Sequence, residues 1–116
     1  VEIRPATATD IEALYGHPAK FTLRAVVAEH EGEVLGIMGV FHSTPLMAFC
    51  QVTPRMKERY PTTILRAVKA FPTLLHGYSE PIYAIPDPNE PHAREILKKA
   101  GFRRDESRDA EIYVWT

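Results

Sequence analysis

The sequence predicts a single mixed α/β (α+β) domain, residues 1–116, whose central mixed sheet of about six to seven strands carries helices on both faces. Three observations predict it. Two strand-length apolar runs, Leu23 to Glu29 and Val34 to Phe41, flank a short polar turn that holds a glycine. Beyond Leu46, strand-like runs alternate with helical periodicity, the pattern of β-α-β units. Finally, 116 residues with 45% hydrophobic and 25% charged side chains suit one ordinary globular domain and no more.

Taken in order, Ile3-Arg4-Pro5 reads as a short strand stopped by proline. Thr9 with Glu12 three residues on has the form of a capping box, and Ile11 and Leu14 supply that helix's apolar face. Gly16-His17-Pro18 ends it. The hairpin follows, turning through His30-Glu31-Gly32-Glu33, where glycine suits a positive φ. Gly36 and Gly39 inside its second strand imply a bulge or a close backbone approach. Leu46 to Val52 is a third apolar run, closed by Thr53-Pro54. After the basic segment Arg55, Lys57, Arg59, Pro61 opens a helix on which Ile64, Leu65, Val68, Phe71 and Leu75 recur at helical spacing. Pro72 is expected to kink or shorten that helix, which ends near His76-Gly77.

Pro81 to Ile85 is the next strand. A helix from about Glu90 to Ala100 has Pro91 in its first turn, Ala93, Ile96, Leu97 and Ala100 on one side, and Gly101 as its stop. Glu111 to Trp115 is the last strand, with room for one more short strand after Gly101.

Composition excludes several classes. The formal charge of −1 gives no global field toward nucleic acid or membrane. Residues 94–108 hold Arg94, Lys98, Lys99, Arg103, Arg104 and Arg108, but Glu95, Asp105 and Glu106 are mixed among them without interleaved aromatics, which reads as a solvated surface. No apolar run approaches the roughly 20 residues of a membrane helix, and the first residues lack a secretory apolar region. Cys50 is the sole cysteine, so no internal disulfide can form, and the expected location is cytoplasmic. No spacing of ligands suggests a metal.

Three stretches, in order along the chain, resemble the GNAT superfamily of N-acetyltransferases. Val27 to Gly36 is similar to its hairpin, in which a glycine turn precedes hydrophobic-hydrophobic-glycine (Val34-Leu35-Gly36). Val52-Thr53-Pro54 resembles the Val-x-Pro that opens the coenzyme A loop. Ala93 to Phe102 resembles the family's last helix, which ends in Gly-Phe. Ile3-Arg4-Pro5-Ala6-Thr7 followed by Asp10 fits the same family. Phe71-Pro72-Thr73-Leu74 ahead of the next strand resembles short phage-encoded members, some virion-associated, which would place the protein in host cytoplasm or virion.

The resemblance implies an acetyl-CoA-dependent N-acetyltransferase acting on a small-molecule or protein amine. It places the pyrophosphate at a helix N-terminus, where unpaired amides and the positive dipole end meet an anion. In Lys57-Glu58-Arg59-Tyr60-Pro61-Thr62, Lys57 falls at the family's Gln/Arg position. Tyr60 and Thr62 stand where small residues are usual, and Pro61 removes a donor. Residues 51–70 hold Arg55, Lys57, Arg59, Arg66 and Lys69 against the single acid Glu58. Those cations either replace the missing amides or form a solvated face.

The resemblance also implies that the backbone of Cys50, Gln51 and Val52 pairs with pantetheine, and that Asn89 bonds the same arm. Cys50 reads as a small hydrophobe rather than a nucleophile. Leu97 occupies the family's tyrosine position and cannot donate a proton. Tyr83 and His92 are the alternative acids, and Glu29 and His42, with His30 nearby, the candidate bases. The short connection between Tyr15 and Leu23 leaves the acceptor groove open, or for a protein partner or second copy to complete. The alternative reading is a catalytically degenerate, phage- or virion-associated structural or interaction module.

Overall fold

The computed structural model describes residues 1–20 and 22–116. Its elements are β1 (Glu2–Pro5), α1 (Ala8–Tyr15), β2 (Leu23–His30), β3 (Glu33–Phe41), β4 (Leu46–Val52), α2 (Pro54–Arg59), α3 (Pro61–Leu75), β5 (Ile82–Ala84), α4 (Ala93–Lys99), β6 (Arg103–Arg104) and β7 (Tyr113–Trp115). The strands form one seven-stranded sheet in the order β1-β2-β3-β4-β5-β7-β6. β4 and β5 run parallel, and the other described pairs are antiparallel.

The hairpin between β2 and β3 turns on two residues, Glu31 and Gly32, with φ of 51° and 81°. Positive φ at both central positions matches the right-handed twist of the flanking strands. Gly39 is a close approach rather than a bulge: a Cβ there would lie 2.3 Å from the Arg24 carbonyl oxygen. The bulge lies in β3 itself, beside Gly36: Ala28 and Glu29 pair with Gly36 and Val34, which leaves Leu35 as the extra residue.

Helix α1 is capped two residues earlier than its sequence suggests. Thr7, not Thr9, is the N-cap, and Asp10, not Glu12, closes the capping box. Asp10 prevails because it also reaches Arg4, so its carboxylate is satisfied when buried. The segment after β4 is a six-residue helix, α2, rather than a loop. Helix α3 continues through Pro72 to Leu75. Leu65 faces outward, 42% exposed, while Val68, Phe71 and Leu75 are buried. Pro91 lies ahead of α4 rather than in its first turn, because the residues from Asp87 to Ala93 make tight turns instead of helix. The strands expected at 81–85 and 111–115 are trimmed to three residues each, and Ile85 is 65% exposed.

Side chains alternate across the sheet, so each face has its own core. On one side, Val68, Phe71 and Leu75 of α3, with Ile96 and Leu97 of α4, pack on Val40, Ile82, Ala84 and Tyr113. On the other, Ile11 of α1 packs on Ala25, Val27 and Ile37. Met56 of α2 joins Leu35 and Ala28 in a third cluster that anchors the end of β4.

Candidate active site

The site is built where two central strands part. β4 and β5 pair only at Leu46 with Ile82 and Met47 with Tyr83. β5 ends at Ala84 while β4 runs on to Val52, so a wedge opens beyond Met47. The Thr53 amide donates to the Leu35 carbonyl at 2.9 Å, which fixes the phase of the ladder. By antiparallel alternation, Phe49 and Gln51 turn their backbone polar groups toward β3. Cys50 and Val52 therefore turn theirs into the wedge. These are backbone donors and acceptors on an open strand edge, suited to a ligand that pairs like an additional strand.

Beyond the edge, the chain makes two helix starts in quick succession. Thr53 caps α2: its Oγ1 accepts the Met56 amide at 3.3 Å and donates to the Leu35 carbonyl at 2.8 Å. Pro54 and Pro61 each occupy a first helical position, where a missing N–H costs nothing. In the first turn of α3, the Thr63 amide is taken by the Tyr60 carbonyl at 3.1 Å, while the Thr62 amide meets no acceptor among the described residues. Lys57 and Arg59 stand in the last turn of α2, just before this start. Lys57 is ion-paired with Glu90, and Arg55 with Glu33; Arg59 has no carboxylate partner among the described residues.

Cys50 sits in the floor of this region. Its residue surface is exposed, yet the walls of the wedge crowd the sulfur and push the thiol up to about 11. Burial is the main cause, the Glu90 carboxylate adds to it, and Lys57 opposes it. Cys50 lines a small apolar recess with Met38, Val52, Met56, Ile64 and Ile96. Tyr15, at the end of α1, has its phenol pushed up to about 12, by burial first and then by Cys50.

The other residues singled out in the sequence fall in different places. Tyr83 belongs to the last pair before the wedge, on the face opposite α3, with the Arg108 guanidinium carbon 5.1 Å from its ring centroid. Arg108 is the neighbour that sequence reasoning missed, since it read as part of a solvated basic run. Glu29 is held by the Arg4 guanidinium at 2.9 Å. His42 lies past the end of β3, its ring nitrogens 2.7 Å from the Tyr78 hydroxyl and 3.1 Å from Thr22 Oγ1. His30 packs its ring 5.5 Å from that of Tyr60. His92 precedes α4 but makes no side-chain cap; its ring nitrogen is 3.8 Å from Glu95. Asn89 is exposed in a turn where its amide donates to Asp87 at 2.9 Å. Gln51, Glu58 and Thr62 are exposed, Val52 and Tyr60 half-buried. Leu97 packs against the core and offers no proton.

A separate groove of about 580 Å3 lies between α3 and strands β1 to β3, lined by Ile3, Val26, Met38, Phe71, Arg24 and Arg66 among others, away from the wedge. Among the described residues no cluster of three or more His, Cys, Asp or Glu could hold a metal, and no helix is long and apolar enough to cross a membrane.

The sequence matches no protein-family model and no curated protein. Solved structures match it throughout. The ribosomal-protein-S18-alanine N-acetyltransferase of Escherichia coli superposes with a TM-score of 0.64 at 12% identity, over 97% of this chain and 90% of that one. An aminoglycoside acetyltransferase in complex with coenzyme A gives 0.62 at 17% identity, over 98% and 93%. The dodecameric spermidine N-acetyltransferase of Vibrio cholerae gives 0.57 at 13% identity, over 97% and 90%. At these identities the likeness is one of fold, and the fold is that of the GNAT acetyltransferases.

Proposed function

We propose that the chain is an acetyl-CoA-dependent N-acetyltransferase that acetylates an amine. The observation that carries this reading is the parting of β4 and β5 after two residue pairs, beside a helix start flanked by Lys57 and Arg59. A fold alone does not carry activity, so the argument rests on the wedge. It offers unpaired backbone groups of Cys50 and Val52, one free amide at Thr62, and cations for phosphate. Pro61 and the absence of glycine reduce the number of amides, and the two cations compensate. The residues therefore fit the cofactor.

In this reading the strand edge of Cys50 and Val52 holds the pantetheine arm. Thr62, Lys57 and Arg59 hold the pyrophosphate, and Asn89 lies on the far bank. The bound cofactor would supply an acetyl group activated as a thioester. Tyr83 stands where the strands separate, and we assign its hydroxyl the proton delivered to the departing sulfur. Arg108 stacks over the Tyr83 ring, 5.1 Å from the centroid. Glu29 is engaged with Arg4 and His42 with Tyr78, so neither is free at the wedge in this state. The acceptor enters from the α1 face, where residues 16–22 are too few for a second helical wall.

Kinship with short phage-encoded proteins, suggested by Phe71-Pro72-Thr73-Leu74, and a cytoplasmic location, suggested by the lone Cys50, belong to the proposal as well. Leu97, partly buried against the core where a proton donor would be needed, favours one other reading, a domain that kept the scaffold and lost catalysis.

Calorimetric titration with acetyl-CoA decides between them, with the Lys57→Ala/Arg59→Ala double variant as control. Micromolar affinity that the double variant weakens about tenfold or more supports the enzyme. Absence of binding by the folded protein leaves an interaction module.

A further inference from the structure

Glu90 is the acid paired with Lys57, and no catalytic role accounts for it. It lies in the turn leading to α4, across the wedge from α2, with its side chain 20% exposed against 51% for Lys57. The turn is built to hold it: the Glu90 amide donates to the Asp87 carbonyl at 3.1 Å, its carbonyl accepts from the Ala93 amide at 3.2 Å, and its Oε1 takes the His92 amide at 3.4 Å. Its other oxygen accepts from Lys57 Nζ. The pair joins α2, which follows β4, to the turn that follows β5, so it spans the segments beyond the parting strands.

We propose that Glu90 is a positioning residue for the cofactor: it occupies Lys57 in the ligand-free protein and must yield it when a pyrophosphate binds. This rests on the cofactor reading above. A carboxylate and a phosphate drawn to the same ammonium repel each other at short range, so they compete for it. Glu90 thereby subtracts from the phosphate affinity of Lys57.

The alternative is a staple that merely fastens α2 to the opposite bank. The two differ in sign. Neutralising a staple loosens the site and weakens coenzyme A binding or leaves it alone, whereas neutralising a competitor strengthens it. Glu90→Gln is the right change, because Gln keeps an Oε1 for the His92 amide.

The experiment is calorimetry with coenzyme A on the wild type, Glu90→Gln, Lys57→Ala and the double variant, each checked for folding by circular dichroism. Glu90→Gln is expected to bind about fivefold tighter, the scale of one exposed ion pair. In the Lys57→Ala background the same change is expected to have no effect, since there is no ammonium left to compete for. Equal or weaker binding by Glu90→Gln, with the wild type binding, overturns the proposal alone. A gain that persists without Lys57 overturns the route through Lys57. No binding by any folded variant overturns the cofactor reading, and this proposal with it.

Discussion

Arg4 holds Asp10 with two hydrogen bonds, 2.7 and 2.9 Å, while its Nε reaches Glu29 at 2.9 Å. One guanidinium thus ties β1 to the first turn of α1 and to β2. Asp10 also accepts from the Thr7 amide at 2.7 Å, so the carboxylate is both helix cap and ion-pair partner.

That arrangement makes a pH prediction. The Arg4 guanidinium first, and the Thr7 donors after it, hold Asp10 well below the ordinary carboxylate range, against the opposing effect of burial. A carboxyl whose folded pKa is depressed contributes stability above its unfolded value of about 3.9. That contribution fades as pH falls below about 4 toward the folded pKa. Urea denaturation of the wild type should therefore lose stability below pH 4 more steeply than Asp10→Asn. At pH 7, Asp10→Ala should cost about 2–3 kcal/mol, combining a lost cap with an unpaired cation. Parallel curves for wild type and Asp10→Asn would show that the cluster does not titrate as argued.

Gly39 and Gly32 should both lose stability on substitution by alanine, for different reasons and by unequal amounts. A Cβ on Gly39 would meet the Arg24 carbonyl oxygen at 2.3 Å and Ala25 Cβ at 2.5 Å, so β2 and β3 would have to separate. Gly39→Ala should cost about 3 kcal/mol, and Gly32→Ala, strained only by its φ of 81°, about 1 kcal/mol. Thermal or urea unfolding checks the ratio. Equal costs would mean that the strands give way easily at Gly39.

The sheet and most of its helices were legible because hydrophobic period and punctuation agree there. Leu46–Val52 is bounded by apolar pattern and by Thr53-Pro54, and it forms as read. The choice of Thr7 over Thr9 was not legible locally. Both head a plausible capping box, and Arg4, a tertiary partner, decides. Pro72 does not shorten α3 for a related reason: in the last turn of a packed helix the lost hydrogen bond is outweighed by burial of Phe71 and Leu75. At the candidate site, the cations of α2 stood out as a charge run. Their engagement by Glu33 and Glu90 could not, since those acids are distant in sequence. Glu90 itself read only as the start of a helix, and Arg108 beside Tyr83 as surface.

Cys50 should be slow to alkylate although its surface is exposed. With a thiol raised to about 11, the thiolate fraction near pH 7.5 is roughly a hundredfold or more below that of a free cysteine. Iodoacetamide modification should therefore lag free cysteine by about that factor near pH 7.5, and its rate should climb with pH past 9. In the cofactor reading, saturating coenzyme A should slow it further, because the pantetheine arm covers the Cys50 edge. Rapid modification at pH 7 would show that the wedge does not crowd the sulfur.

The last expectation separates Tyr83 from His42 as the proton carrier. Tyr83 is in the final β4–β5 pair, at the mouth of the wedge. His42 has both ring nitrogens within bonding distance of Thr22 and Tyr78, beyond the end of β3. Once an acceptor amine is in hand, Tyr83→Phe should lower kcat about a hundredfold, the scale of a lost general acid. Its affinity for coenzyme A, read by calorimetry, should stay at the wild-type value, because the phenol is assigned to proton transfer and not to binding. His42→Ala should retain kcat close to wild type. The opposite pattern, with Tyr83→Phe active and His42→Ala inactive, would move the reacting atoms toward the paired end of β4, and with them the acceptor groove.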